Sequence, residues 1–306
     1  MRALVLSGGG VKGAYQAGAI QAVLESGYRP EIVTGISVGA LNAAFLAAHQ
    51  DSAQVGAQLT QFWETEVTGP SKFVKKRGFL DLVWRVLRNM WDGVVDTKPL
   101  ADVVGRVLAA HFPRQGGMQV RVGAVELRSG LLVYTGPDSP DFIAAVLAST
   151  AEPVSMPLRR IRGVAYYDGG LRDVAPLKQA IELGATSIVA VVCQAVAVTP
   201  YTKGEGDVLN LIGRVHEIVT NEIVENDLKT ADNVNSLIAG LPAEMRAAHP
   251  YLADKRIIPL TVVRPAEEIT VSLDSFTRDD IYRMVEQGRR DARAVLSQRP
   301  ASPTEL

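Results

Sequence analysis

The chain has 306 residues, 47% of them hydrophobic and 21% charged, enough apolar material for a full core and too much for global disorder. Its formal net charge of -1 argues against non-specific nucleic-acid binding, which calls for a basic domain. Its single cysteine, Cys193, rules out an intramolecular disulfide and favours a reducing compartment. Length permits one large α/β domain or two small ones. No linker, internal repeat or low-complexity tract divides the chain. One domain over 1–306 is therefore expected, with a core over about 3–195, a C-terminal extension over about 205–296 and a flexible tail over 297–306.

The opening apolar run, Ala3 to Leu6, reads as a strand. It is too short for a signal peptide or a membrane span, and no later run reaches that length without charges. The expected location is the cytoplasm, with peripheral contact at a membrane surface open. Ser7-Gly8-Gly9-Gly10-Val11-Lys12-Gly13 follows, then a helix to about Ser26 with Gly27 as its stop. Glu31 to Thr34 is β-branched and reads as a second buried strand. Ala40 to Ala48 is built of strong helix formers. Between them lies Gly35-Ile36-Ser37-Val38-Gly39, a serine on a tight strand-to-helix turn. Such a turn exposes Oγ with a helix N-terminus behind it, and Gly35 and Gly39 leave room for the backbone to pass.

The stretch from Ser52 to Pro99 is less regular, reads as helical and holds all three tryptophans, Trp63, Trp84 and Trp91. Within residues 72–91, Phe79, Val83, Val86, Leu87 and Met90 recur at helical spacing among Lys72, Lys75, Lys76, Arg77, Arg85 and Arg88. This suits a lid or membrane-surface helix, but an ordinary core-facing helix with a charged outer face is the preferred reading. Gln119–Val125 and Leu131–Thr135 read as paired strands, Asp141–Ser149 as a helix, and Gly163–Tyr167 as a strand ending at Asp168. A helix over Lys178–Gly184 precedes a buried strand over Ser187–Cys193, where the thiol reads as a small hydrophobe. A long polar helix from Asp207 to about Leu237, a strand within Lys255–Arg264 and a charged helix from Thr277 to about Val295 complete the chain. Alternating strands and helices imply a mainly parallel sheet covered on both faces.

Two constellations carry chemistry. Gly8, Gly10 and Gly13 fit the G-x-G-x-x-G dinucleotide pattern, with Glu31 at a distance suited to a ribose. The same glycines also suit an oxyanion hole, with bare N–H groups aimed at developing negative charge. A dinucleotide fold has no use for an exposed serine on the next turn, whereas acyl transfer needs both parts, so the oxyanion reading is preferred. Lys12 could neutralise an anionic substrate or be a solvated first-turn lysine. A serine nucleophile needs a base. Of the four histidines, His49, His111, His216 and His249, none follows a strand in a Gly-flanked loop; His216 beside Glu217 reads as a solvated helix face. Asp168, ending a strand before Gly169-Gly170, is the better partner. The Gly-Gly turn is read as exposing its carboxylate, which could take the hydroxyl proton directly if desolvation raised its pKa.

The Gly8–Gly13 loop, the Gly35–Gly39 elbow and Asp168-Gly169-Gly170, in that order, resemble the patatin-like phospholipase family over about residues 3–195. Residues 255–295 are similar to the C-terminal extension of its bacterial members. The resemblance implies a three-layer α/β/α sandwich and a serine acyl hydrolase of phospholipase A, lysophospholipase or esterase type, needing no metal or cofactor. It makes Ser37 the nucleophile and Asp168 the base. It forms the oxyanion hole from Gly8, Gly9, Gly10 and Val38, with Lys12, Gly13, Gly35, Gly39, Gly169 and Gly170 in support. A transacylase using the same intermediate and another acceptor alcohol is the alternative, and a nucleotide-binding protein the more distant one. Glu152, in Ala148 to Ser155, departs from the small or apolar residues common there in the family and bears on substrate choice.

Overall fold

The computed structural model describes residues 1–88, 92–196, 200, 208–271, 273 and 275–298. In chain order, β1 (Arg2–Leu6) leads through a 3-10 turn to α1 (Gly13–Glu25), β2 (Ile32–Ile36), α2 (Val38–Ala48) and α3 (Val55–Glu66). A short excursion follows, with β3 (Lys75–Lys76), α4 (Phe79–Leu87), β4 (Val95–Asp96) and α5 (Lys98–Leu108). Then come β5 (Gln119–Glu126), β6 (Leu132–Thr135), α6 (Phe142–Ser149), β7 (Arg159–Ile161), β8 (Val164–Asp168), α7 (Leu177–Glu182) and β9 (Ser187–Val191). The chain closes with α8 (Val208–Gly240), α9 (Ala243–Ala248), β10 (Leu260–Val263) and α10 (Arg278–Ser297).

The main sheet runs β10-β9-β1-β2-β5 with every neighbour parallel. Alternation along β1 explains its burial on both faces. Leu4 and Leu6 join one core with α1, α2, α3, α5, α6 and α10, while Ala3 and Val5 join the other beneath α7 and α8. The architecture is thus a three-layer α/β/α sandwich, as expected. The long "polar" helix differs in detail. Val224 of α8 is buried, and Ile223, Leu228 and Ala231 pack on the second core, because a stripe of apolar residues suffices to seat an otherwise polar helix. Asp207, where that helix was expected to begin, and 299–306 of the tail lie outside the described residues.

The antiparallel part of the sheet decides where the chemistry sits. Val122 and Gly123 of β5 pair with both β2 and β6, so those two strands occupy opposite edges of β5. Ala124 and Val125 pair with both β6 and β8, so β8 shares the edge of β2. β2 and β8 therefore meet end to end. Ile36 is opposite Gly123, and Asp168 is opposite the next residue, Ala124. Neither strand can continue, and both chains must turn away there.

Helix α10 packs on α1 with glycines on both sides. A Cβ on Gly18 would lie 1.9 Å from the Val285 carbonyl oxygen, and one on Gly288 would lie 1.9 Å from that of Tyr15. Its start is fixed by a capping box between Thr277 and Asp280. Among the described residues, no helix is long and apolar enough to cross a membrane.

Candidate functional site

β2 runs two residues further than the composition of Glu31–Thr34 suggested, so the strand carries Gly35 and Ile36 up to the turn. Ser37 caps α2 with φ 56° and ψ -125°, a region that costs a non-glycine residue of order 1–3 kcal/mol. The flanking glycines are sterically required. A Cβ on Gly35 would lie 2.3 Å from the Gly39 carbonyl oxygen, and one on Gly39 would lie 2.3 Å from that of Leu6. The strained turn is held by Ser149, fully buried at the end of α6, whose Oγ accepts the Ser37 N–H at 2.8 Å.

Asp168 is only 5% exposed; the expectation that the Gly-Gly turn would expose its carboxylate is corrected. The turn folds back, and the Gly170 N–H donates to Asp168 Oδ1 at 2.7 Å. The Asp168 N–H donates to the Ala151 carbonyl at 2.9 Å. The Ser37 hydroxyl lines the same cavity and favours the charged form of the carboxylate. Burial pushes the Asp168 pKa from 3.8 up to about 7, and the negative charge of Glu152 adds to the shift; the Ser37 hydroxyl and the bond to Gly170 oppose it. A hydroxyl within reach of such a carboxylate can pass its proton to it near neutral pH. Gly169 crosses the strand junction, where a Cβ would lie 2.5 Å from the Gly123 carbonyl oxygen.

The glycine loop lies over the same spot. The Gly8 N–H donates to the Val174 carbonyl at 3.0 Å, so it is engaged within the fold. The N–H groups of Gly9, Gly10 and Val38 donate to no backbone carbonyl among the described residues. Cys193 packs beneath Gly9, its N–H donates to Ser7 Oγ at 2.9 Å, and burial pushes its thiol up to about 11. It behaves as the buried small residue anticipated. Gly13 abuts Val38 and Trp63, and the Trp63 indole N–H donates to Asn42 at 2.9 Å.

Ser37, Asp168 and the loop open onto a cavity of about 440 Å³. Its lining includes the apolar Leu41, Phe73, Leu100, Met156, Val174 and Ile269. It also includes charged groups. Lys12 Nζ lies 3.8 Å from Glu268, Arg214 3.0 Å from Glu217, and His216 Nε2 3.9 Å from Glu152. Burial, and then a hydrogen bond with Glu268, push the Glu217 carboxyl up. His216 thus lines the cavity while a third of its side chain stays exposed, and α8 shares the cavity wall with the glycine loop, a long-range placement that its local polarity did not signal. Glu217, read with His216 as a solvated face, lines the same wall, and sequence reasoning missed Ser149, Arg214 and Glu268, none of which stands in a recognisable motif.

The remaining titratable candidates are placed elsewhere. The His49 ring packs 4.5 Å from Phe45 and 4.8 Å from His111, and His249 Nδ1 accepts the Tyr251 N–H. Glu31 is exposed at the opposite end of β2 from the loop, accepting the Arg2 N–H at 2.9 Å. It cannot hold a ribose at Gly8–Gly13. Among the described residues, no cluster of three or more His, Cys, Asp or Glu is arranged to hold a metal ion.

The profile of the family described as "Patatin-like phospholipase" matches residues 4–181 of the chain. The uncharacterized protein YjjU of Escherichia coli (strain K12) is 25% identical over 197 residues, covering 62% of this chain and 51% of its own length. The uncharacterized protein YqhO of Bacillus subtilis (strain 168) is 28% identical over 194 residues, covering 60% and 61%. The match therefore spans less than two thirds of either relative. The crystal structure of VipD from Legionella pneumophila aligns with 97% of this chain and 66% of its own, at 16% identity and a TM-score of 0.47.

Proposed function

The chain belongs to the patatin-like phospholipase family, and from that premise we propose that it is a serine acyl hydrolase cleaving fatty-acyl esters through Ser37 and Asp168. The observation that carries the reading is that Ser37, on its strained elbow, and the buried carboxylate of Asp168 line one cavity together with the glycine loop.

Asp168 takes the hydroxyl proton as Ser37 Oγ attacks the acyl carbonyl. The oxyanion is received by the N–H groups of Gly9, Gly10 and Val38 at the start of α2, where the helix dipole adds to their field. Gly8 supports the loop through its bond to Val174. Collapse of the tetrahedral intermediate breaks the ester C–O bond, and Asp168 returns the proton to the leaving alkoxide. Water then attacks the acyl-enzyme, giving its proton to Asp168, and collapse releases the fatty acid and restores the Ser37 hydroxyl. The acyl chain is received by the apolar residues of the cavity lining, and polar parts of the substrate by its charged residues. The walls combine residues of the 3–195 core with Arg214, Glu217 and Glu268, which supports reading core and C-terminal region as one domain.

The test is turnover of a short p-nitrophenyl ester. Ser37→Ala and Asp168→Asn are each expected to lose at least roughly a thousandfold in kcat, and a fluorophosphonate should label Ser37 alone. Undiminished hydrolysis by both variants, or labelling at another residue, refutes the assignment.

A further inference from the structure

One face of helix α4 is tied by ion pairs to the segments on either side of it. Asp81 and Arg85, one turn apart, join Arg77 and Asp92 in a ring of ion pairs. Arg77 lies 3.5 Å from Asp81 and 3.2 Å from Asp92, and Arg85 lies 3.0 Å from Asp81 and 2.7 Å from Asp92. The ring fastens the helix to the antiparallel pair β3–β4. That pair is itself anchored beside the cavity. The N–H groups of Val94 and Val95 both donate to the Ser155 carbonyl, at 2.9 and 3.0 Å, and Phe73 and Met156 line the cavity wall.

Another face of α4 carries Leu80, Val83, Trp84 and Leu87, spaced i, i+3, i+4 and i+7 on one stripe. Their exposures are 82%, 38%, 47% and 80%. A helix packed on a globular core shows the reverse arrangement. Phe79, Val86 and residues 89–91, the rest of the apolar series, have side chains outside the described residues.

The charge around this stripe is one-sided. Between 72 and 92 six cations stand against two acids, Asp81 and Asp92, in a chain whose net charge is -1. Lys72, Lys75, Lys76 and Arg88 are exposed, and the Arg88 guanidinium lies 5.2 Å over the Trp84 ring. A twofold contact with a second copy would set this basic patch against itself. An anionic bilayer meets both halves of the surface, taking the leucines and tryptophan at its interface and the lysines at its headgroups. We propose that α4 is a docking helix that lays Leu80, Val83, Trp84 and Leu87 on an anionic lipid surface beside the cavity. The lipid-ester reading gives this docking its purpose, but adsorption itself requires no hydrolysis.

Co-sedimentation with phosphatidylcholine vesicles, with and without phosphatidylglycerol, tests this. It is read on full-length Ser37→Ala so that no lipid is consumed. Binding is expected to the phosphatidylglycerol-containing vesicles. It should weaken about a hundredfold when Lys72, Lys75 and Lys76 are all changed to Gln, and comparably for Leu80→Asp with Leu87→Asp. On the otherwise wild-type chain, both sets of changes should leave turnover of a soluble p-nitrophenyl ester intact. Equal adsorption of wild type and both variants overturns the proposal. So does a concentration-dependent dimer that the leucine changes abolish while vesicles are ignored, which assigns the face to a second copy. A wild-type chain that binds vesicles but hydrolyses no ester refutes the hydrolase reading and leaves the docking proposal standing.

Discussion

Ser37 occupies a backbone conformation that a side chain normally avoids, φ 56°, and it stays there because the surroundings over-determine it. Gly35 and Gly39 let the turn close, and Ser149 accepts its N–H. Removing that acceptor leaves a part-buried donor unsatisfied, at a cost of about 1–3 kcal/mol. Ser149→Ala is therefore expected to lower the melting temperature by several degrees and ester turnover by about tenfold, since the elbow that aims Oγ loosens. Calorimetry and steady-state kinetics check this together. Unchanged values in both would show that Ser149 does not hold the elbow. Ser149 itself was not legible in the sequence, because a serine at a helix end has no signature until its partner is known. The glycines and Ser37 were legible because steric demands on a single tight turn are local.

At the level of elements, β2 and β8 are held end to end on one edge of β5. This brings Ser37 within reach of a residue 131 positions away. The strands could be read from their β-branched runs, but not that two of them share an edge, since pairing register is set by contacts between distant segments. The docking of α10 has the same character. Its capping residues announce the helix, while Gly18 and Gly288 acquire meaning only where α1 and α10 cross. Gly288→Leu would force a side chain against the Tyr15 carbonyl and is expected to destabilise the chain by several kcal/mol. A melting temperature within about a degree of wild type would mean that the helices do not cross so closely. The Tyr15 hydroxyl bond to Asp291 at 3.0 Å would be strained by the same change. Charged α8 illustrates the opposite difficulty, because His216 and Glu217 look like solvent-facing residues until the cavity wall is built around them.

For the molecule as a whole, burying Asp168 couples the proposed activity to stability. Its pKa is 3.8 as an ordinary carboxyl and about 7 in the fold, chiefly through desolvation. Below 3.8 the group is protonated in both folded and unfolded chains. Between 3.8 and about 7 only the folded chain holds the proton, so stability falls as pH rises across that window, by up to about 4 kcal/mol. Above it both states are ionised and the loss is complete. On the proposed mechanism Asp168 must be ionised in the free enzyme, so kcat/KM should rise through about pH 7. Asp168→Asn is expected to remove this part of the pH slope in melting temperature, and to melt higher than wild type above pH 7 while turning over little ester. An identical slope in wild type and variant would show that Asp168 is not the buried titrating group.

What the sequence determined by itself was local: strand and helix character, the glycine-supported elbow at Ser37, the glycine-rich loop, the Asp-Gly-Gly turn and the sandwich class they imply. Backbone sterics and side-chain periodicity act over a few residues, and so they are written in a few residues. The tertiary structure alone decided that Asp168 is buried, that Gly8 is tied to Val174, that α8 brings charges to the cavity and that α4 turns its apolar stripe outward. Each of these depends on desolvation or on a partner far along the chain, and neither exists until the elements have packed.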